Sequence, residues 1–240
     1  MASTSSGRCI LVACCVLAAS CRSPRPGADA STTTDAAEAA RLHAIPRARL
    51  CVSSGRVDTL SSGLVRVDEG GMRAVAAGGT SSMAELAFTY RGPSTAHARL
   101  ANGELRRQIG LKLRARDTCN VIYVMWHVQP TTGIFVSVKN NPGSASHGEC
   151  GAGGYINVRP RAGGLAPRIV SGERHTLRAE LQGDALLVFA DGAPVWQGAL
   201  PPQALTFDGP SGVRSDNGVF EFELRVPMLE QRGADCSSPK

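Results

Sequence analysis

No Lys/Arg-rich run with interleaved aromatics occurs in the 240 residues, and such a run is what tracks a nucleic-acid backbone. The formal net charge is +6, from 26 Lys and Arg against 20 Asp and Glu, and the arginines are scattered rather than blocked. Nucleic acid is therefore not an expected partner. Long apolar runs are missing as well: "CILVACCVLAAS", Cys9 to Ser20, has twelve residues, where a spanning helix needs roughly 20. No two cysteines stand in a C-x-x-C spacing, which removes the commonest zinc and redox signatures. The Gly-rich "HGECGAGGY" lacks the following Lys and the strand-to-helix setting of a phosphate loop.

The N-terminus is the most informative stretch that is present. Arg8, the apolar run and the small residues before Cys21 follow the order of a cleaved secretory leader. Leu17, Ala18, Ala19, Ser20 and Cys21 resemble a bacterial lipobox, which implies that Cys21 becomes the lipidated first residue of the mature chain. An ordinary secretory leader is the alternative, and either exports the protein. The expected location is the bacterial envelope, the outer membrane or cell surface rather than the cytoplasm. Beyond Cys21 four cysteines remain, an even number suited to disulfides in an oxidising compartment. Of three possible connectivities the favoured one joins Cys51 to Cys236, stapling the ends of a domain, and Cys119 to Cys150. The expected organisation is a leader over 1–20, a Pro/Ser/Thr/Ala-rich tether over 21–50, one domain over 51–228 and a tail over 229–240 carrying Cys236.

Within the domain, strand follows strand, punctuated by Gly, Asp, Asn and Pro. "AELAFTY" sets Leu86, Phe88 and Tyr90 on one side, and "QIGLKL" does the same with Ile109, Leu111 and Leu113. Asn120–Val128 and Gly133–Lys139 read as a hairpin with Ile122, Val124, Trp126, Ile134, Val136 and Val138 toward a core. "GYINVRP" turns Ile156 and Val158 inward. "HTLRAELQGDALLVFADGAPVWQG" has turn signals at Gly183-Asp184 and Asp191-Gly192 and reads as a three-stranded meander. "SGVRSDNGVFEFELRV" reads as strand, Asp216-Asn217-Gly218 turn, strand. Helical periodicity is confined to Asp35–Arg49. The pattern specifies an all-β body built as a two-sheet antiparallel sandwich.

The meander and the closing strand together resemble the last half of the concanavalin A-like lectin/glucanase sandwich, as in laminin G-type and 3-keto-disaccharide hydrolase-type domains. The matching positions are Asp191, Gly192, Trp196, Gly212, Val213, Gly218 and Phe222, within roughly Cys51 to Pro227. The resemblance implies a jelly-roll sandwich and a tendency toward glycans, and it carries no catalytic residue across. Glucanases of this sandwich typically hold their carboxylates in an E-x-D-x-x-E strand, and that string does not occur.

The residues facing away from the core are the candidate site. They are Lys112 and Arg114, then Tyr123, Met125 and His127, then Phe135, Ser137 and Lys139, then Tyr155, Asn157 and Arg159. Aromatic platforms beside fixed polar donors suit sugar rings, and the cationic bias suits an anionic polysaccharide. The alternative is that loops or the other sheet cover this face, making Tyr123, Met125 and Phe135 a second layer of core. The expected ligand-binding set is Tyr123, His127, Phe135, Lys139, Tyr155, Asn157 and Arg159. Glu221 and Glu223 alternate with Phe220 and Phe222 as a solvated outer face does, so no catalytic residue is assigned. No cofactor is expected, with calcium at turn residues Asp184, Asp191 and Asp216 as the one candidate. The expected function is non-catalytic binding of envelope or extracellular glycans by an exported lipoprotein. A 3-keto-disaccharide-type hydrolase and a structural or adhesive envelope protein are the alternatives.

Overall fold

The computed structural model describes residues 41–227 and Cys236. The leader, Cys21, most of the tether and the remaining tail lie outside the described residues. The strands are β1 (Leu42–Ala44), β2 (Leu50–Ser54), β3 (Asp58–Thr59), β4 (Val65–Ala76), β5 (Met83–Pro93), β6 (Arg107–Leu113) and β7 (Val121–Gln129). They continue with β8 (Gly133–Lys139), β9 (Tyr155–Val158), β10 (Arg174–Gln182), β11 (Ala185–Ala190), β12 (Ala193–Ala199) and β13 (Gly212–Pro227). Helix among the described residues is limited to short turns at Arg47–Arg49, His147–Cys150 and Pro202–Leu205.

Strand β13 organises the fold. Its first part, Gly212–Asp216, pairs with β6, and its second part, Gly218–Arg225, pairs with β5. Strand β4 runs along the other edge of both parts. One layer is therefore β2-β4-β13-β6-β7-β8-β9 and the other is β3-β4-β13-β5-β10-β11-β12, with the two long strands shared. The hairpin of β7 and β8 and the meander β10-β11-β12 fall where the sequence places them, in an antiparallel two-layer sandwich.

Asp216-Asn217-Gly218 is not a turn. The chain continues through it as one strand, bent at Asn217, whose φ is 57°. A residue with positive φ is what a D-N-G hairpin turn needs, and a bend within a strand uses the same property. Hydrogen-bonded neighbours on both edges keep the chain extended, so here the strand bends without turning back, its register with β4 unbroken across Asn217. A one-residue shift in alternation reverses which side chains face inward. Before the bend Val213 reaches the core, and after it Phe220, Phe222 and Leu224 do. Strand β4 reverses opposite, from Val65 and Val67 to Met72, Ala74 and Ala76, through Gly70 and Gly71. A Cβ at Gly70 would lie 2.9 Å from the Ala98 nitrogen.

Between the layers, Trp126 of β7 meets Phe88 of β5 edge-on at 5.7 Å, and Phe88 meets Phe220 at 6.1 Å. Large aromatics of this kind bury roughly 150–250 Å² apiece, about 4 to 6 kcal/mol each at the usual area coefficient. Two disulfides close the body, Cys51–Cys236 and Cys119–Cys150. The Leu42–Ala44 stretch is a strand, not part of a helix, because the end of β13 leaves a ladder edge that it completes. Ile45 and Leu50 are buried in the core, so the folded body reaches back past Cys51 into the expected tether. Ile156, expected inward, is 41% exposed, since β9 is the edge of its layer, while Val158 does pack against the core.

Candidate functional site

The outer face of the β6–β9 layer carries a cavity of about 970 Å³. Strand register sets its floor as three cross-strand rows. One row is Lys112, Tyr123, Ser137 and Asn157. The second is Arg73, Arg214, Gly110, Met125 and Phe135. The third is Asp216, Gln108 and His127. Gly110 must lack a side chain, because a Cβ there would meet the Val124 oxygen at 2.1 Å and the Met125 sulfur at 2.9 Å. The loop before β6 supplies one wall with Arg99, Asn102, Glu104 and Arg106, and Tyr155, Asn157 and Arg159 line the β9 side. Asn217 ties down that loop: its Oδ1 accepts from the Ala98 amide at 2.8 Å, and its Nδ2 donates to the Ala98 and Arg106 carbonyls at 2.9 and 2.8 Å.

Aromatic rings on this face come in two storeys. Tyr155, 42% exposed, stacks on buried Tyr123 with centroids 6.1 Å apart. Phe135, also 42% exposed, stacks on buried His127 at 4.0 Å. Arg214 lies 5.0 Å from the Tyr123 ring centre and donates through Nη1 to the Tyr155 hydroxyl at 3.4 Å. Each exposed ring thus rests on a buried one that fixes its orientation.

Beneath the rings lies a buried charge cluster. Asp216 accepts hydrogen bonds from Arg73 Nη2 at 2.9 Å, Arg214 Nε at 2.9 Å and Gln108 Nε2 at 2.5 Å. Burial alone would raise its pKa, but Arg214, Arg73 and the Gln108 hydrogen bond hold it below the usual carboxylate value. The same carboxylate reverses the effect of burial on Arg214 and raises its pKa. Burial, then the nearby cations Arg73 and Arg214, pushes Lys112 down to about 7. Burial followed by Arg106 pushes His127 down to about 3, so His127 is neutral at physiological pH.

Five residues of the sequence-derived set, His127, Phe135, Tyr155, Asn157 and Arg159, line the cavity. Tyr123 lies under Tyr155. Lys139 is 2% exposed and is absorbed into the Cys119–Cys150 corner, donating to the Thr118 carbonyl at 3.1 Å and the Gly151 carbonyl at 2.8 Å. Its role is structural, because strand pairing puts it opposite Val121 at the start of β7, under that corner. Arg73, Gln108, Arg214 and Asp216 are floor residues that the sequence reading does not assign. Reading Asp216 as a turn residue hides it and Arg214, although the alternation of Val213 and Ser215 with Arg214 and Asp216 is the signal that exposes them.

The carboxylates considered for calcium are dispersed. Asp191 accepts from the Thr176 amide at 2.7 Å and pairs with His175 Nδ1 at 2.8 Å, while Asp216 is held by its two arginines. No group of three or more His, Cys, Asp or Glu side chains converges among the described residues. Glu221 pairs with Arg91 at 2.7 Å and Glu223 with Arg225 at 2.6 Å, both outside the cavity.

No protein-family model matches the chain, and no curated protein matches it in sequence. Among solved structures, a carbohydrate-binding module from Bacillus subtilis aligns with a TM-score of 0.52 at 13% identity, over 72% of this chain and 91% of that one. The likeness is one of fold. A transglycosylase in complex with NAG aligns at 0.44 and 14% identity, over 82% and 86% of the two chains. A protein described among endo-acting O-glycanases of the human gut microbiota aligns at 0.46 and 14%, over 78% and 95%. At such identities no residue inherits a role, and the cavity must be read from its own chemistry.

Proposed function

We propose that the chain is an exported, non-catalytic glycan-binding protein whose ligand lies in the β6–β9 cavity. The observation that carries this reading is the pair of half-exposed rings, Tyr155 and Phe135, each seated on a buried ring and flanked by the polar side chains of Asn157, Ser137 and Asn102. Sugar rings offer apolar CH faces to such platforms and hydroxyls to such edges. Held rings also lose little freedom on binding, which favours affinity.

A hydrolase would need two carboxyl groups about 5 to 10 Å apart across the bond to be cut. Glu104 is the only acidic residue in the lining among the described residues, and Arg106 holds it at 2.5 Å. Asp216 lies beneath, enclosed by Arg73, Arg214 and Gln108. This supports binding over hydrolysis. The lipobox-like residues around Cys21 support export with a lipid anchor.

A glycan array probed with the full chain, with Tyr155→Ala and with Phe135→Ala tests the reading. Specific binding that falls about tenfold or more in either variant, with thermal stability within about 1 kcal/mol of wild type as expected for half-exposed rings, supports it. Binding unaffected by both substitutions moves the site elsewhere, and silence across the array refutes the function.

A further inference from the structure

We propose that the glycan taken by this cavity is acidic, carrying carboxylate or sulfate groups that meet Arg159 and Arg99 above the Arg73–Arg214 floor. The inference rests on the glycan-binding reading and goes beyond it by naming the ligand's charge.

Five arginines line the cavity, Arg73, Arg99, Arg106, Arg159 and Arg214, against the single carboxylate of Glu104. With Asp216 directly beneath, pairing with two of them, the net is +3, half of the chain's formal +6. The distribution of partners matters more than the total. Arg106 is matched by Glu104. Arg73 and Arg214 share one carboxylate, Asp216, at 2.9 Å each, so the floor keeps one uncompensated guanidinium charge. Arg99 donates only to a neutral carbonyl, that of Gly103, at 2.8 Å. Arg159 has no hydrogen bond or ion pair with any described residue.

Lys112 stands beside the same two floor arginines. It lies in the same face's register beside Tyr123, is 3% exposed, and makes no hydrogen bond or ion pair with a described residue, its one favourable charge interaction being with Asp117. Its proton is pressed first by burial and only then by the cations Arg73 and Arg214, whose shared charge is the surplus left on the floor. An anion in the cavity relieves that surplus. A neutral sugar leaves it in place and must still displace water from the guanidinium groups. Guanidinium binds carboxylate and sulfate oxygens through paired, charge-assisted hydrogen bonds, and a partly walled cavity of one sign concentrates ions of the other.

Isothermal titration of the full chain with four probes tests this: oligogalacturonate and its methyl ester, and dextran sulfate and dextran. The expected result is that at least one acidic probe binds about tenfold or more tightly than its neutral counterpart, weakens as salt rises, and loses about fivefold or more in Arg159→Gln. The oligogalacturonate and dextran sulfate arms tell carboxylate from sulfate. Arg56→Gln is the control for diffuse charge, since Arg56 lies outside the cavity with its side chain 93% exposed. Equal binding of acidic and neutral probes, or equal losses in Arg56→Gln and Arg159→Gln, overturns the acidic assignment and leaves glycan binding standing. If all four probes are silent, the acidic assignment falls. The array then separates the two ideas: neutral glycans bound by wild type and lost in Tyr155→Ala preserve the reading, and silence there removes both.

Discussion

Replacing Lys112 with Met removes a buried ammonium while keeping most of its aliphatic volume. The groups facing that ammonium are Arg73 of β4, Arg214 of β13, Tyr123 of β7 and, more weakly and with opposite sign, Asp117 of the preceding loop. Burial first, then the two arginines, takes its pKa from 10.5 to about 7. Below pH 7 the folded chain holds the charged group and bears the full penalty. Between about 7 and 10.5 the unfolded chain keeps a proton that the folded chain has released, so stability rises with pH, by about 1.4 kcal/mol per unit at most. The whole rise attributable to Lys112 is about 5 kcal/mol. Lys112→Met should therefore be several kcal/mol more stable than wild type near pH 6, and the gap should close steadily toward pH 10. Urea unfolding with both disulfides intact, compared for the two chains at four or five pH values, reads the gap directly. All other titrating groups are common to both chains and cancel in the difference. Parallel pH profiles would refute the reasoning, for they would mean that Lys112 titrates alike in both states.

Asn217→Ala should cost about 3 kcal/mol by calorimetry: about 1 for forcing a residue with a Cβ into positive φ without the local hydrogen bonding that Asn supplies, and the rest for the bonds to Ala98 and Arg106. Asn217→Gly should recover the conformational part, and a substitution to Ala that is neutral would remove the bend from the account of the corner. Labelled palmitate should enter wild type and not Cys21→Ala, and label retained by the variant would move the anchor to another residue.

Alternation made the inner face of the sandwich legible. Ile122, Val124 and Trp126 point one way for the same reason that Tyr123, Met125 and His127 point the other, and the hairpin and meander turns carry their own chemistry in Gly and Asp. The cavity was half legible by the same rule, which found Tyr155, Phe135, Asn157 and Arg159. It failed for Lys139, because a strand-end position does not reveal that a disulfide-closed loop will fold over it. It failed for Arg214 and Asp216 because their strand contains a local turn signal, and only pairing on both edges decides between a turn and a bend within one strand. Arg73 and the loop carrying Arg99 to Arg106 reach the cavity through long-range pairing and through Asn217, and no local pattern encodes either.

The corner and the candidate site are one piece of physics. With strict alternation, the parity that sends Phe220, Phe222 and Leu224 into the core would send Arg214 and Asp216 there too, away from Arg73 and Gln108, whose hydrogen bonds make the burial of Asp216 tolerable. The single residue at positive φ lets one strand present arginine to the cavity floor, with aspartate just beneath it, and phenylalanine to the core within seven positions. Strand β4 makes the matching reversal, so Arg73 reaches the same floor while Val65 and Val67 stay inside. Asn217 also pins the loop that forms the cavity's wall. A change at that bend should therefore disturb core packing, floor charge and wall position together, whereas a change at Arg159, which makes no hydrogen bond or ion pair with a described residue, should leave all three in place.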